Sequence, residues 1–135
     1  MVLYPKEGET FSEKETNDSS SVILLTYGEF SFLFTGDLPE TREHELIESG
    51  LLPRNLTVLK LGHHGSKYSS GSELLSFTKP KFAIVSAGKD NKYGHPSVET
   101  LERVAKVGSI VLSTIEKGDI TFQIKLDSLE VVTSK

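Results

Sequence analysis

Cysteine is absent from the 135 residues, which removes disulfide staples, thiolate metal sites and a cysteine nucleophile together. Long apolar runs are missing as well. None is longer than that of Val22 to Leu25, which falls far short of the roughly 20 residues that a membrane-spanning helix needs. The start, Met1-Val2-Leu3-Tyr4-Pro5-Lys6-Glu7, has neither a basic opening nor an apolar stretch of signal length, so nothing in it directs secretion. Positive charge is not in excess either: 15 Lys and Arg face 19 Asp and Glu, a net charge of -4. That sign is wrong for holding nucleic acid by counterion release alone, so polyanion binding would need a local patch or a metal. What remains is ordinary globular composition, 36% hydrophobic and 25% charged, at a length that suits one core.

The apolar pattern predicts a short strand over Met1 to Pro5 and a polar, flexible loop over residues 6–21. Val22 to Tyr27 and Phe30 to Phe34 read as strands joined by the two-residue turn Gly28-Glu29, with Phe30, Phe32 and Phe34 as a core stripe. A helix over Pro39 to Ser49 follows, with Asp37 and Glu40 as a capping box. Thr57 to Leu61 is the next strand. Ser70 and Glu73 predict a second capping box and a helix over Ser72 to Phe77. After the strand Phe82 to Ser86, Pro96 opens a helix with Val98, Leu101, Val104 and Ala105 on its apolar face. Ser109 to Ser113 forms another strand. Asp119 to Leu126 alternates, with Ile120, Phe122, Ile124 and Leu126 inward, and Leu129 to Val132 can follow as an edge strand. Strand and helix alternation implies right-handed crossovers, so the strands near residues 30, 57, 82 and 109 should be parallel.

Ligands in such sheets gather beyond the carboxyl ends of the strands, where three segments stand out: Thr35-Gly36-Asp37, His63-His64-Gly65-Ser66 and Asn91-Lys92-Tyr93-Gly94-His95-Pro96. His44 stands apart in a charged helical stretch and reads as a surface residue. Imidazole and carboxylate without cysteine suit Zn, Mn or Fe, and such an ion acidifies water and polarises a phosphate or carbonyl. Gly36 and Gly65 would let backbone approach closely. Plainer roles compete at each residue. Asp37 and His95 can serve as helix caps, Ser66 as a turn former, and neighbouring His63 and His64 in an extended segment would point to opposite sides.

Four ordered motifs carry a family resemblance: Asn17 with Ser20-Ser21-Val22-Ile23-Leu24, then Phe32-Leu33-Phe34-Thr35-Gly36-Asp37, then Val58-Leu59-Lys60-Leu61-Gly62-His63-His64-Gly65-Ser66-Lys67, and last Asn91 to Pro96. Together they resemble the metallo-β-lactamase superfamily, and within it the C-terminal part of the soluble domain of ComEC-type competence proteins, which take part in bacterial DNA uptake. The resemblance implies an α/β chain forming the C-terminal half of an αββα sandwich, with a mixed sheet and helices on one face. It implies Asp37 and His63 as metal ligands, His64 as a catalytic group, His95 as a further ligand or a catalytic proton donor near the substrate, and Ser66, Asn91 and Tyr93 as residues that back the ligands or orient the substrate. His63 and His64 compete for the ligand position. The implied cofactor is a divalent transition metal, Zn or Mn, and the implied substrate is DNA or another phosphodiester or ester.

The family's N-terminal ligand cluster, His-x-His-x-Asp-His or its Asp-substituted form, has no counterpart, and no Asp-His pair occurs in the chain. Residues 1–135 are therefore expected to be one partial domain whose partner is the N-terminal half of the same domain in a longer protein. Alone, the fragment is expected to hold metal weakly or not at all and to be inactive. The uncovered sheet face is expected either to be buried in a homodimer or to be a source of aggregation, and the parent to be a membrane protein exposing this soluble domain on an undetermined side. The competing reading is a noncatalytic α/β interaction module.

Overall fold

The structure is a computed structural model describing residues 1–14 and 16–135. Six strands form one sheet in the order of the sequence: β1 (Val2–Tyr4), β2 (Val22–Tyr27), β3 (Phe30–Phe34), β4 (Val58–Lys60), β5 (Phe82–Val85) and β6 (Ile110–Ser113). β1, β2 and β3 pair antiparallel, and β3 through β6 run parallel, as the crossover argument requires. The helices α1 (Glu40–Glu48), α2 (Ser72–Thr78) and α3 (Val98–Lys106) fill the crossovers between β3 and β6. A one-turn helix α4 (Thr114–Lys117), not expected from the sequence, leads to the hairpin β7 (Ile120–Lys125) and β8 (Ser128–Thr133). No helix among the described residues is long and apolar enough to cross a membrane.

Register divides the main sheet into two unlike faces. Leu24, Leu33, Leu59 and Ala83 lie in one cross-strand row, buried in a single cluster with Leu46 of α1, Leu74 and Leu75 of α2 and Val104 of α3. This is the core. Each such leucine contributes roughly 1.5–3 kcal/mol by leaving water. The opposite face carries the phenylalanine stripe, and there the β7–β8 hairpin covers only part of the sheet. Phe122 sits between Phe32 and Phe82, at ring-centroid distances of 5.9 and 5.6 Å. Phe32 is buried, Phe30 half-buried and Phe34 exposed, so the stripe is not the core that its period suggested. Strand period reports which residues share a face, not whether another layer covers it.

Both expected capping boxes are replaced by tertiary contacts. Chain leaving β3 turns tightly, with Leu38 N–H donating to the Thr35 carbonyl, and α1 begins two residues later with Pro39 at its cap position. Asp37 makes no cap. Instead Glu40 N–H donates 2.7 Å to the Tyr68 carbonyl. At α2 the cap residue is Gly71, and the Ser70 hydroxyl accepts from Gly62 N–H. Val98 and Leu126, expected inward, are exposed, because each stands at an element end beyond the reach of the core. In the 6–21 segment Phe11 packs on Tyr4 and Asp18 pairs with Arg42 at 2.8 Å. Glu15 of that segment lies outside the described residues.

Candidate functional site

The three singled-out segments meet at the carboxyl edge of β3, β4 and β5. Gly36 (φ +56°) turns the chain away from β3 and presents its carbonyl to His63 N–H at 2.9 Å, which fixes Asp37 beside the histidine loop. Asp37 N–H donates 3.1 Å to the Ser20 hydroxyl, while its half-buried carboxylate takes no hydrogen bond or ion pair among the described residues. The residue is held by its backbone, and its side chain is free.

After β4 the chain does not continue as a strand. His63 and His64 both adopt left-handed backbone (φ +46° and +57°), so the opposite-side argument for an extended pair does not apply. The rings of His63 and His95 lie 5.6 Å apart, and those of His63 and His64 6.4 Å apart. His64 Nδ1 faces the Ser86 carbonyl. A carbonyl only accepts, so Nδ1 carries the hydrogen and Nε2 is left free. His63 is half-buried, with no hydrogen bond to its ring among the described residues.

His95 reaches this cluster because Asn91 clamps its loop. The Asn91 amide donates to the carbonyls of Gly88 (2.9 Å) and His95 (2.7 Å), and its Oδ1 accepts from His95 N–H (2.9 Å). Asn91 therefore closes the loop that carries His95. Burial, then the neighbouring His63 and His64, push the His95 pKa below its ordinary value. Its Nδ1 is buried without a hydrogen-bond partner among the described residues. Tyr93 is exposed and stacks on the His95 ring at 5.8 Å and 18°. Ser66 is buried, its hydroxyl accepting from Tyr68 N–H and its carbonyl from the Thr100 hydroxyl, which makes it a turn residue. Gly65 (φ +85°) is the contact point of the two loops, since a Cβ there would stand 2.8 Å from Pro96 Cβ.

Two residues near the site escaped the sequence reading. Lys60, half-buried at the end of β4, donates 2.7 Å to the Leu61 carbonyl. Burial lowers its pKa and Asp37 opposes that shift. Glu43 of α1 is only 2% exposed, and its carboxylate accepts from Ser70 N–H (2.6 Å) and Gly71 N–H (2.8 Å). Both carried a readable signal: a charge on an otherwise apolar face, Lys60 beside Phe34 and Ile84 in the sheet and Glu43 one turn from Leu46.

For a divalent ion the donor types fit: a free carboxylate, a free imidazole and an orphaned buried imidazole nitrogen. The set is incomplete, since no three His, Asp or Glu side chains among the described residues come close enough together to hold an ion.

The family profile described as Metallo-beta-lactamase superfamily matches residues 10–89, which include Asp37, His63, His64 and Ser66 and end before Asn91, Tyr93 and His95. ComE operon protein 3 of Bacillus subtilis (strain 168) is 38% identical over 125 residues, 92% of this chain and 16% of that protein. Recombination protein 2 of Haemophilus influenzae is 36% identical over 115 residues, covering 85% of this chain and 14% of the relative. Competence protein ComA of Neisseria gonorrhoeae is 35% identical over 122 residues, covering 89% and 17%. The chain thus spans about a sixth of the length of the curated relatives it matches. With a profile match over more than half of the 135 residues, on the same strands and turns that carry Asp37 and His63, the chain belongs to the metallo-β-lactamase superfamily.

Proposed function

We propose that this chain supplies one side of a metal-dependent phosphodiester hydrolase site in a bacterial membrane protein that takes up DNA, the rest of the site coming from the N-terminal half of the same domain. The observation that supports the reading is the Gly36 carbonyl to His63 N–H bond, which ties the turn that carries Asp37 to the turn that carries His63 at the sheet edge. The relatives' names Recombination protein 2 and Competence protein ComA support DNA as the substrate over smaller esters.

Asp37 and His63 would hold the ion, Zn or Mn, together with ligands from outside these 135 residues. Bound there, such an ion supplies Lewis-acid charge to the phosphodiester and acidifies a water. His64 orients the water or the leaving oxygen through Nε2, since Nδ1 is fixed on Ser86. His95 is held neutral by burial and accepts a proton or a substrate hydrogen bond, positioned by Asn91 and by the stacked Tyr93. Ser66 shapes the turn that carries the histidines.

Titration of Mn or Zn into the complete polypeptide, followed by cleavage of a DNA oligonucleotide, tests this reading. Asp37→Ala should weaken metal binding and slow cleavage by about 100-fold or more. Unchanged affinity and turnover would remove the metal reading. The noncatalytic interaction module is the second reading, supported by the incomplete ligand set. It predicts no metal-dependent turnover in the complete polypeptide.

A further inference from the structure

The histidines and Asp37 occupy the carboxyl edge of the parallel strands, and the opposite, amino edge has its own character. Chain enters β4, β5 and β6 there through three short connections, residues 49–57, 79–81 and 107–109. Hydrogen bonds tie these connections together: Leu56 N–H donates to the Thr78 carbonyl (2.9 Å), Lys81 N–H to that of Leu56 (2.8 Å), Ile110 N–H to that of Lys81 (2.9 Å), and the Ser109 hydroxyl to that of Pro80 (2.5 Å). They hold Arg54, Lys79, Lys81 and Lys106, the last residue of α3, on one edge, and all four side chains are exposed. None of the four has a carboxylate partner among the described residues. Arg54 instead lies over the Phe77 ring at 4.3 Å, and Lys81 over that of Phe82 at 5.4 Å. Helix C-termini attract cations, which accounts for Lys79 and Lys106 but not for Arg54 and Lys81. The connections contain no acid; Glu48 at the end of α1 and Glu102, one turn before Lys106, flank them. With four of the 15 Lys and Arg gathered here, the rest of the chain has 11 against 19 Asp and Glu, so the molecule is polarised. Two large apolar side chains stand in water on the same edge, Leu51 at 50% exposure and Ile110 at 52%.

We propose that this amino edge docks on an anionic lipid surface, with its four cations among the headgroups and Leu51 and Ile110 reaching below them. The mixture of side chains selects the ligand. A nucleic-acid backbone would satisfy the cations and leave both apolar side chains in water, whereas a bilayer interface accepts both kinds. The acidic remainder of the chain is repelled by the same surface, which fixes the orientation. Docked in this way, the carboxyl edge with Asp37 and His63 faces away from the bilayer and stays open to solution. The assignment stands independently of the hydrolase reading.

Cosedimentation with vesicles tests the assignment, on protein carrying Leu25→Gln so that the apolar sheet face adheres less without any change of charge. Vesicles of phosphatidylcholine with about a third phosphatidylglycerol should be bound at least roughly hundredfold more tightly than phosphatidylcholine alone, and the difference should fade at high salt. Arg54→Ala, Lys79→Ala, Lys81→Ala and Lys106→Ala should each weaken binding about fivefold. Their Tm should stay within about 3 °C of the starting protein, because the side chains are exposed and unpaired. Leu51→Ser and Ile110→Thr should weaken binding about three- to tenfold and leave its salt dependence as it was. On the vesicles, Lys79, Lys81 and Lys106 should be shielded from acetylation, while Lys92 at the carboxyl edge reacts as in solution. Equal binding to neutral vesicles, no binding of the folded protein to anionic ones, alanine variants as tight as the starting protein, or shielding of Lys92 instead would overturn the proposal. Binding of duplex DNA that the alanine variants lose and the Leu51 and Ile110 variants keep would assign the edge to nucleic acid and overturn it equally.

Discussion

Glu43 shows what one buried carboxylate does at this site. Its two oxygens accept from Ser70 and Gly71, and Ser70 in turn accepts from Gly62, the residue before His63, so a side chain of α1 sets the shape of the histidine loop. Burial pushes its pKa up from 4.5 to about 7, against the two backbone N–H groups; Glu40 adds to the rise and Arg103 opposes it. Between those two values the folded chain keeps a proton that the unfolded chain has released. Its contribution is therefore greatest below about pH 4.5 and falls as pH rises through about 7, a loss on the order of 3 kcal/mol. Glu43→Gln leaves one of the two N–H groups without an acceptor, a cost of about 1–3 kcal/mol at low pH. Denaturant unfolding from roughly pH 5 to pH 8 should show the gap between parent and variant narrowing as pH rises. A gap independent of pH would contradict this account.

At the scale of elements, the site is a junction of turns rather than a product of any one strand or helix. Gly65 is the tightest point: Ser97 N–H donates 2.9 Å to its carbonyl, Pro96 lies against it, and its φ of +85° suits no side chain. Gly65→Ala should cost about 2–3 kcal/mol, lowering Tm by roughly 6–15 °C and loosening hydrogen-exchange protection of the Ser97 amide. A variant melting with the parent would mean that the loops do not close on each other as described. Strands and helices themselves were legible, because period and turn chemistry are local. β2, the Gly28-Glu29 turn and β3 fall where the alternation puts them. The helix starts were not, because Glu40 N–H finds its acceptor at Tyr68 and the start of α2 finds Glu43, partners 28 residues away in each case that no local spacing encodes.

For the whole molecule, the uncovered face of the sheet is the dominant feature. Ile23, Leu25, Tyr27 and Phe34 are exposed together on one face of β2 and β3, Tyr27 beside the turn of the β7–β8 hairpin. A contiguous apolar face of this kind is normally buried against another layer. Without one, the isolated 14.9 kDa chain should self-associate, and sedimentation velocity at tens of micromolar should show species larger than the monomer. Leu25→Lys should restore the monomer at a stability cost within about 0.5 kcal/mol, because the position is already in water. A parent chain monomeric at these concentrations would count against an adhesive face.

Residue types and their order determined, without any coordinates, the parallel strands of the sheet, the three chemical segments at one edge and the kinship, since each follows from local period, local turns or a motif string. Only the tertiary structure decided how those segments meet. The left-handed turn through His63 and His64, the Asn91 clamp on His95 and the buried Glu43 all depend on hydrogen bonds and burial in three dimensions. The physical reason is range. Alternation and capping act over a few residues, whereas the desolvation and pairing of a polar group depend on whatever the fold brings against it.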